Sequence, residues 1–333
     1  MKKRIYILIL IMIMSILVGC SNEIKETTPI KVTEFVLGTI VDIQIYDEKD
    51  QEAVKLVTDR LREIEALMTI NKEESDLQNL NKSGAEGYVV NKETYKVIED
   101  SLKYAEMSNG MFDPTIGPLI KLWNIGTDDA RVPEQTEIES ALPLVNYKNV
   151  KLIEGNKVVL KEKNMIIDLG SIAKGYAADV AVEILKENKV ERAIINLGGN
   201  IYALGDKGNG DPWKIGIQDP FSDRGEYLGV VSIANQTVVT SGIYERYFEE
   251  GGKRYHHIIN PNTGYPVNNE LASVTIVSDS SIDADALSTT TFVMGRDEGL
   301  KLIESIDNCE AIFVTKDKDI IVSSGLKNNF VQN

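Results

Sequence analysis

The 333-residue sequence is poor in cysteine and in positive charge, and each shortage excludes a class of function. Cysteine occurs twice, at Cys20 and Cys309, and Cys20 falls in the N-terminal leader described below. Cys309 alone remains in the body of the chain, which excludes an intramolecular disulfide and a cysteine metal cluster there. The 36 Lys and Arg residues are outnumbered by 51 Asp and Glu residues, giving a net charge of −15. A chain this acidic is not expected to bind DNA or RNA.

The N-terminus has the features of an export signal. Basic residues Lys2–Arg4 precede an apolar run over residues 5–18, which is too short for a transmembrane helix. Together with small residues before a cysteine, this pattern predicts a secretory signal peptide over residues 1–19. The segment Leu17–Cys20 resembles the bacterial lipobox, which predicts lipidation of Cys20. An uncleaved N-terminal anchor is the alternative.

The residues that follow the leader are predicted to connect it to a folded domain. Residues 20–33 are polar and include Pro29, which indicates a flexible tether. The domain itself is predicted to occupy residues 34–333. With either form of N-terminal attachment, the domain is expected at the extracytoplasmic face of the cell membrane, held by its anchor.

The most informative stretch is Asp168–Asp179, with the sequence DLGSIAKGYAAD. The apolar run Met165–Ile167 predicts a strand, and the helical spacing of apolar residues after Gly170 predicts a helix. A loop of this kind presents free backbone N–H groups at a helix N-terminus, which favours an anion, and places Ser171 and Lys174 beside it. A phosphate site is one interpretation. A strand–helix junction in which glycine merely permits the turn is the other.

A second stretch with polar oxygen ligands follows Asp283. If a helix begins there, Asp285, Ser288 and Thr289 stand at i, i+3 and i+4 and share one face. One carboxylate and two hydroxyls suit Mg²⁺, which takes few protein ligands and completes its octahedron with water and substrate phosphate. Helix capping by Ser281 or Asp283 explains part of this pattern without requiring Asp285.

Irregular segments provide further candidates. Met111–Pro118 contains two prolines and a glycine, so it is predicted to be an ordered loop that either binds a ligand or only covers the core. Asn196–Asn200 reads as a strand that runs into a glycine pair. The histidines His256 and His257 precede a turn; a histidine there is more often structural, although its near-neutral pKa would let it accept a proton.

Hydrophobic spacing predicts a chain that mixes helices with strands. The predicted helices, besides the two already described, are Val54–Met68, Lys92–Ser108 and Asp297–Ile306. The predicted strands are Glu34–Tyr46 (a pair or one bulged strand), the hairpin Lys151–Lys161, Ala193–Leu197, Trp213–Gln218, Tyr227–Ile233, Ala272–Ser278, Ala311–Thr315 and Asp319–Ser323. The segment Thr69–Asn81 is predicted to be a loop, and Thr240–Gly242 a small polar turn.

Taken together, these motifs resemble those of the ApbE family, the FAD:protein FMN transferases. The matching segments follow the family's order over nearly the whole mature chain. They are Val36–Thr39, Phe112–Pro118, Asp168–Asp179, Asn196–Asn200, Thr240–Gly242 with Tyr244 and Arg246, His256–Val267, and Asp283–Gly295.

The resemblance implies an α+β (mixed α/β) fold of two lobes, with largely antiparallel sheets flanked by helices and FAD between the lobes. It implies Mg²⁺-dependent transfer of FMN from FAD to a threonine or serine hydroxyl, with release of AMP. The acceptor would be an exported or membrane-bound flavoprotein. A FAD pyrophosphatase and a non-catalytic flavin-binding lipoprotein are the alternatives.

The resemblance also assigns roles to individual residues. It implies a Mg²⁺ site formed by Ser171, Asp285, Ser288 and Thr289. It implies FAD contacts at Leu37, Asn71, Met111, Phe112, Asp113, Asp168, Lys174 and Ile259. We expect His257 to be the catalytic base, with Asp285 as the second candidate. Asn71 departs from relatives that have an aromatic residue there, so flavin stacking from that loop is not implied.

Overall fold

The computed structural model describes residues 29–47 and 51–333. The predicted signal peptide, Cys20 and most of the tether lie outside the described residues. Within the described part of the chain, no helix is long and apolar enough to cross a membrane. The first strand begins at Ile30, so Ile30–Thr33 belong to a sheet and not to the tether as predicted. Their mixed polarity arises because every second residue of this strand faces solvent.

The described residues form both helices and strands, as in a mixed α+β chain. The helices are α1 (Gln51–Met68), α2 (Asp76–Ser83), α3 (Lys92–Met107), α4 (Gly117–Trp123), α5 (Gln135–Ala141), α6 (Ala173–Glu187), α7 (Ser281–Met294) and α8 (Arg296–Ile303). The strands are β1 (Ile30–Val36), β2 (Thr39–Ile45), β3 (Tyr88–Val89), β4 (Val150–Ile153), β5 (Lys157–Leu160), β6 (Ala193–Leu197), β7 (Asn200–Leu204), β8 (Trp213–Gln218), β9 (Tyr227–Ile233), β10 (Gln236–Gly242), β11 (Tyr247–Glu250), β12 (Lys253–His256), β13 (Leu271–Ser278), β14 (Cys309–Thr315), β15 (Ile320–Val322) and β16 (Phe330–Gln332).

An eight-stranded antiparallel sheet forms the centre of the structure, in the order β1-β2-β6-β7-β10-β13-β14-β15. All residues of β13 are buried because both faces of the sheet are covered. Ile276 packs in the cluster that includes the helices, and Val277 packs in a second cluster with Trp213 and Ile215 of the β16-β9-β8 sheet. The predicted combination of helices and largely antiparallel sheets is confirmed.

Helices α6 and α7 pack in close contact. Gly175 of α6 has no side chain, and a Cβ atom there would lie 2.2 Å from the carbonyl oxygen of Ser281. The Asp179 carboxylate accepts hydrogen bonds from the backbone N–H groups of Ser281 and Ile282, each at 2.8 Å. Burial raises the pKa of Asp179 to about 6. The N-terminus of α7 is thereby held against the first turns of α6.

Three local predictions are wrong. Met165–Ile167 forms only an isolated parallel bridge, between Ile166 and Ile116, and is not a strand of a sheet. The Asn81 side chain bonds both backbone groups of Ile167, at 2.8 and 2.9 Å. The predicted loop Thr69–Asn81 contains most of α2, which is stabilised by the Ser75 cap and by two buried leucines. Thr240–Gly242 is not a turn, since it pairs with β13 and completes β10.

The close packing at Gly175 predicts that alanine at this position lowers the stability of the protein, whereas alanine usually raises it at a helical glycine. Replacing an ordinary exposed helical glycine with alanine stabilises a protein by roughly 1 kcal/mol. We expect Gly175→Ala to destabilise this chain by at least that amount, because its methyl group would collide with the backbone of α7. Urea unfolding of the variant and the wild type measures the difference. A gain in stability would show that the two helices are not in contact here.

Candidate active site

Three chain segments meet at one end of the central sheet. The β1–β2 turn, Leu37–Gly38, lies beside the β6–β7 turn, because β2 and β6 pair with Val41 opposite Leu197. A Cβ atom on Gly198 would lie 2.0 Å from Thr39 Oγ1, so the two turns touch. The last residues of β10 reach the same end, because β10 and β7 are antiparallel neighbours.

A cluster of oxygen ligands lies where β10 meets α7. Ser241 Oγ lies 2.8 Å from Ser288 Oγ and 3.3 Å from Thr289 Oγ1. Ser288 Oγ also donates to the carbonyl oxygen of Asp285 at 2.9 Å. The predicted helix therefore forms, and it places Asp285, Ser288 and Thr289 together as the i, i+3, i+4 spacing requires.

The first turn of α6 supplies positive charge to this cluster. Lys174 Nζ lies 3.5 Å from Asp285 Oδ1, and the backbone N–H of Gly175 donates to Asp285 Oδ2 at 2.9 Å. The Asp285 side chain is only 5% exposed, so these two donors offset the cost of burying its charge. Ser171 lies half-buried in the turn that enters α6. The structure thus unites Lys174 with three of the four predicted metal ligands.

The residues of the cluster fit Mg²⁺. In residues 29–47 and 51–333, no group of three or more His, Cys, Asp or Glu side chains could hold a metal ion. The cluster instead has one carboxylate, on Asp285, and the hydroxyls of Ser241, Ser288 and Thr289. Such a set of few, hard oxygen ligands excludes a structural zinc site and matches the preference of Mg²⁺.

Charged side chains line the space near Lys174. Asp168 and His257 both have measurable exposure, yet desolvation raises the pKa of Asp168 and lowers that of His257 to about 3. Burial in the surrounding protein disfavours the charged form of both groups. The charge of Arg246 acts on both, lowering the pKa of His257 further and opposing the rise at Asp168.

The hydrogen bonds of His257 define its tautomer. Its Nδ1 lies 3.3 Å from the carbonyl oxygen of Arg246, which can only accept a hydrogen bond. Nδ1 therefore carries the proton, and Nε2 keeps a free lone pair. The backbone N–H of His257 donates to the same carbonyl oxygen at 3.1 Å. This contact closes the base of the β11–β12 hairpin and so positions the imidazole.

Two of the residues predicted to contact FAD, Asp113 and Phe112, make contacts within their own loop. The Asp113 carboxylate accepts hydrogen bonds from the Thr115 N–H at 2.8 Å, the Thr115 hydroxyl at 2.6 Å and the Tyr147 N–H at 2.9 Å. Burial nevertheless raises the pKa of Asp113. The Phe112 side chain is 3% exposed and packs edge-on against Tyr104. The side chains of Asp113 and Phe112 therefore stabilise the loop.

The remaining candidates are spread around this region. Met111 Sδ lies 3.5 Å from Asn262 Nδ2, which joins the Met111 loop to the segment that follows His257. Ile259 is buried in a separate apolar cluster with Trp123. Leu37 has a φ of +57° in the β1–β2 turn, a strained conformation for leucine. Asn71 is exposed between α1 and α2, and its N–H donates to Thr69 Oγ1; these contacts do not join it to the cluster.

Sequence reasoning missed several residues that the structure brings to the site. The sequence predicts Ser241 as part of a turn and assigns it no role, although the small polar residues of Thr240–Gly242 are a usable signal; its hydroxyl lies 2.8 Å from that of Ser288. The sequence alone gives no role to Glu245. In the structure, burial raises the pKa of Glu245, and the positive charges of Arg224, Lys174 and Arg246 oppose that rise. The long-range contacts of these residues could not be read from spacing in one segment.

Comparison with known proteins places the chain in a family. Residues 37–313 match the model of the ApbE family. Two curated relatives are the FAD:protein FMN transferases of Klebsiella pneumoniae (39% identical, covering 86% of this chain and 90% of the relative) and Treponema pallidum (37% identical, covering 88% and 86%). Two similar solved structures are the ApbE protein of Thermotoga maritima (TM-score 0.84, 35% identity, covering 90% of this chain and 99% of that chain) and the flavin transferase ApbE of Vibrio cholerae (TM-score 0.80, 27% identity, covering 90% and 98%). The chain therefore belongs to the ApbE family.

Proposed function

We propose that this chain is an FAD:protein FMN transferase that uses Mg²⁺ to move the FMN part of FAD onto a threonine or serine hydroxyl of an acceptor flavoprotein. AMP is the other product. The observation that carries the proposal is the cluster of Asp285, Ser288, Thr289 and Ser241, which lies beside Lys174 at the N-terminus of α6. The names of the curated relatives support the same activity.

The reaction exchanges one phosphorus–oxygen bond for another. The acceptor hydroxyl oxygen bonds to the FMN phosphorus of FAD, and the bond from that phosphorus to the bridging oxygen breaks. The bridging oxygen leaves on AMP, and the hydroxyl proton passes to a base. Catalysis of this chemistry depends on positioning and charge stabilisation. Asp285, Ser288, Thr289 and Ser171 would hold Mg²⁺, which neutralises pyrophosphate charge when bound.

Lys174 and the start of α6 orient the pyrophosphate. The first N–H groups of a helix have no partner within the helix and carry the positive end of its dipole. In α6 the Gly175 N–H is taken by Asp285, and the N–H groups of Ala173 and Tyr176 donate to the carbonyl oxygens of Leu169 and Ile172. The Lys174 N–H is the first-turn group that remains for the substrate. The Lys174 ammonium is held at the same place by its 3.5 Å contact with Asp285. These groups bind the anionic part of FAD next to the oxygen cluster.

His257 is the proposed proton acceptor. Its Nδ1 proton is directed to the Arg246 carbonyl oxygen, which leaves Nε2 free to take the hydroxyl proton. Burial, then Arg246, and to a smaller extent Lys174, lower its pKa to about 3, so it is neutral at physiological pH. The pyrophosphate of FAD would offset these cations. The imidazole then becomes a stronger base in the complex than in the free protein.

The domain is proposed to lie outside the cytoplasmic membrane. The N-terminal leader with Cys20 supports export and attachment through a lipid, with the domain on the extracytoplasmic side. The acceptor would be an exported or membrane-bound flavoprotein on the same side.

Transfer can be measured directly. The full chain in detergent, with FAD, Mg²⁺ and an exported flavoprotein domain that has a surface threonine, is expected to increase the mass of that domain by one FMN less one water. Intact mass spectrometry reads the result. FMN and AMP in solution with no modified domain would indicate a FAD pyrophosphatase, in which water replaces the hydroxyl. FAD bound but uncleaved would indicate a flavin carrier.

Asp285→Asn tests the metal site with little change of shape. The amide can still accept from the Gly175 N–H but has no charge for a cation. We expect Mg²⁺ binding, followed by calorimetry, and FMN transfer both to be lost, while the circular dichroism spectrum stays unchanged. Asp279→Asn is the matched control, since Asp279 is an exposed acid just before α7. Transfer at the wild-type rate by Asp285→Asn would refute the metal assignment.

The two adjacent histidines allow a paired test of the base. His257→Gln is expected to lower kcat by about 10²–10⁴-fold without a matching change in FAD affinity, because glutamine cannot take the proton. His256 is buried, its Nε2 lies 2.8 Å from the Val267 carbonyl oxygen, and its ring meets Phe292. His256→Gln is therefore expected to lower Tm and to leave kcat nearly unchanged. An equal loss of kcat in both variants would contradict a specific role for His257.

A further inference from the structure

An acidic side chain of α6 binds the first turn of α7 and takes no part in the proposed chemistry. The Asp179 carboxylate accepts from the N–H groups of Ser281 and Ile282, each at 2.8 Å. These are the first two residues of α7, and the N–H groups at a helix start have no acceptor within the helix. The cap that precedes α7 is Ser280, whose hydroxyl oxygen accepts from the Asp283 N–H at 3.4 Å. Asp179 therefore supplies, from a different helix, acceptors that the start of α7 lacks.

The contact at Asp179 is in register with the contact that holds the buried carboxylate of the site. Asp179 and Gly175 are four residues apart on α6, and Ser281 and Asp285 are four residues apart on α7. Four residues span about 6 Å along a helix. The two pairs, Asp179 with Ser281 and Gly175 with Asp285, thus lie about one turn apart on helices that run in opposite directions. A shift of α7 along α6 would disturb both pairs together.

The strand on the other side of α7 also holds the helix at two points. Ser281 Oγ lies 3.1 Å from Thr237 Oγ1, and Ser288 Oγ lies 2.8 Å from Ser241 Oγ. Between these contacts β10 spans about 13 Å and α7 about 10 Å, so the helix lies along the strand. Thr237 Oγ1 donates to the carbonyl oxygen of Ile201 at 3.0 Å, and its oxygen therefore accepts from the Ser281 hydroxyl. β10 fixes the start of α7 as well as the oxygen cluster.

The charge of Asp179 strengthens its contact with α7. Burial raises the pKa of Asp179 to about 6, and the carboxylates of Asp283 and Glu183 also raise it, while the two N–H bonds lower it. The side chain is therefore mainly ionised above pH 7. An ionised carboxylate accepts with both oxygens and lies favourably at the positive end of the α7 dipole. Such charge-assisted hydrogen bonds are stronger than those between neutral groups.

We propose that Asp179 and Thr237 are positioning residues, which hold the first turn of α7 so that the Asp285 carboxylate keeps its place in the oxygen cluster. This inference rests on the proposed transferase function and deepens it. Neither residue binds Mg²⁺ or FAD, and both act through α7. When either contact is lost, α7 spends less time in the position that binds the cation, and the apparent affinity for Mg²⁺ falls by that fraction.

Asp179→Asn tests the proposal, with Asp47→Asn as the matched control. Asparagine keeps the shape of the side chain but presents an NH₂ group to one of the two backbone donors. Asp47 makes the same kind of contact, because it accepts from the N–H groups of Glu191 and Arg192 at 2.7 and 2.9 Å. These residues precede β6, at the end away from the β6–β7 turn. We expect both variants to lower Tm and only Asp179→Asn to alter the site.

The first readout requires neither metal nor substrate. The Gly175 N–H donates to Asp285, so its hydrogen exchange reports whether α7 keeps its position. In the full chain, at a pH at which Asp179 is ionised, we expect this amide to exchange at least about tenfold faster in Asp179→Asn, relative to the amides of the central sheet.

The second readout is a titration with Mg²⁺. We expect the Kd for Mg²⁺ to rise about 10–100-fold in Asp179→Asn, as when groups that support metal ligands are removed. Because Mg²⁺ binds the positioned state, excess Mg²⁺ is expected to restore FMN transfer to nearly the wild-type kcat. Asp285→Asn lacks the ligand itself and is not expected to recover at any Mg²⁺ concentration. A loss of stability alone would not produce this difference.

Thr237→Val is a second, milder variant, which removes the acceptor of the Ser281 hydroxyl at nearly constant volume. It is expected to show faster Gly175 exchange and weaker Mg²⁺ binding, each to a smaller extent than Asp179→Asn. If Asp179→Asn does not fold, Thr237→Val decides, and exchange at the wild-type rate in it would overturn the proposal.

The remaining outcomes separate this proposal from the proposed function. Unchanged Gly175 exchange and Mg²⁺ affinity in a folded Asp179→Asn variant would overturn the positioning role and leave the transferase function intact. Equal changes in Asp47→Asn would overturn it too, since the effect would not be local. A wild-type protein that binds no Mg²⁺ would overturn the metal site of the proposed function, while Gly175 exchange would still decide whether Asp179 holds α7 in place.

Discussion

The contact between α6 and α7 determines where the reactive groups of this protein lie. Gly175 lets the two helices approach until its backbone N–H reaches the buried Asp285 carboxylate at 2.9 Å. A buried carboxylate is costly without such donors, and Lys174 provides the opposite charge from the same turn. The packing that joins two layers of the fold therefore also assembles the oxygen cluster. Fold stability and site geometry depend on the same few atoms.

The electrostatic character of the site differs from that of the chain as a whole. The net charge of −15 argues against nucleic acid, but FAD is also an anion and must enter a cleft of this acidic protein. Positive charge near the site comes from Lys174, Arg224 and Arg246. All three lie close enough to Glu245 to lower its pKa. Local cations in a desolvated cleft act more strongly than distant surface acids, which solvent and salt screen. Net charge alone therefore does not predict the small ligand.

The sequence predicted those parts of the site that lie within one element. Asp285, Ser288 and Thr289 share a helix face by spacing alone, and Lys174 follows a recognisable turn into a helix. It did not predict contacts between distant segments. Asn81 bonds Ile167 in place of a neighbouring strand, and Ser241 joins the cluster only because β10 packs along α7. For the same reason Asp113, identified correctly as part of an ordered loop, is seen only in the structure to have its carboxylate engaged by Thr115 and Tyr147.

The end of the β1–β2 hairpin exposes two large apolar side chains, which is unusual at a sheet edge. Proteins protect edge strands with charged or polar residues because an apolar edge invites aggregation. β1 follows this rule at Lys31 and Thr33 and departs from it at Phe35, opposite an equally apolar Ile40. The departure occurs beside the β1–β2 turn, in which Leu37 packs against the core. The strand register places Phe35 and Ile40 on the sheet face opposite Ser241 and α7, so this exposed apolar pair is not part of the oxygen cluster.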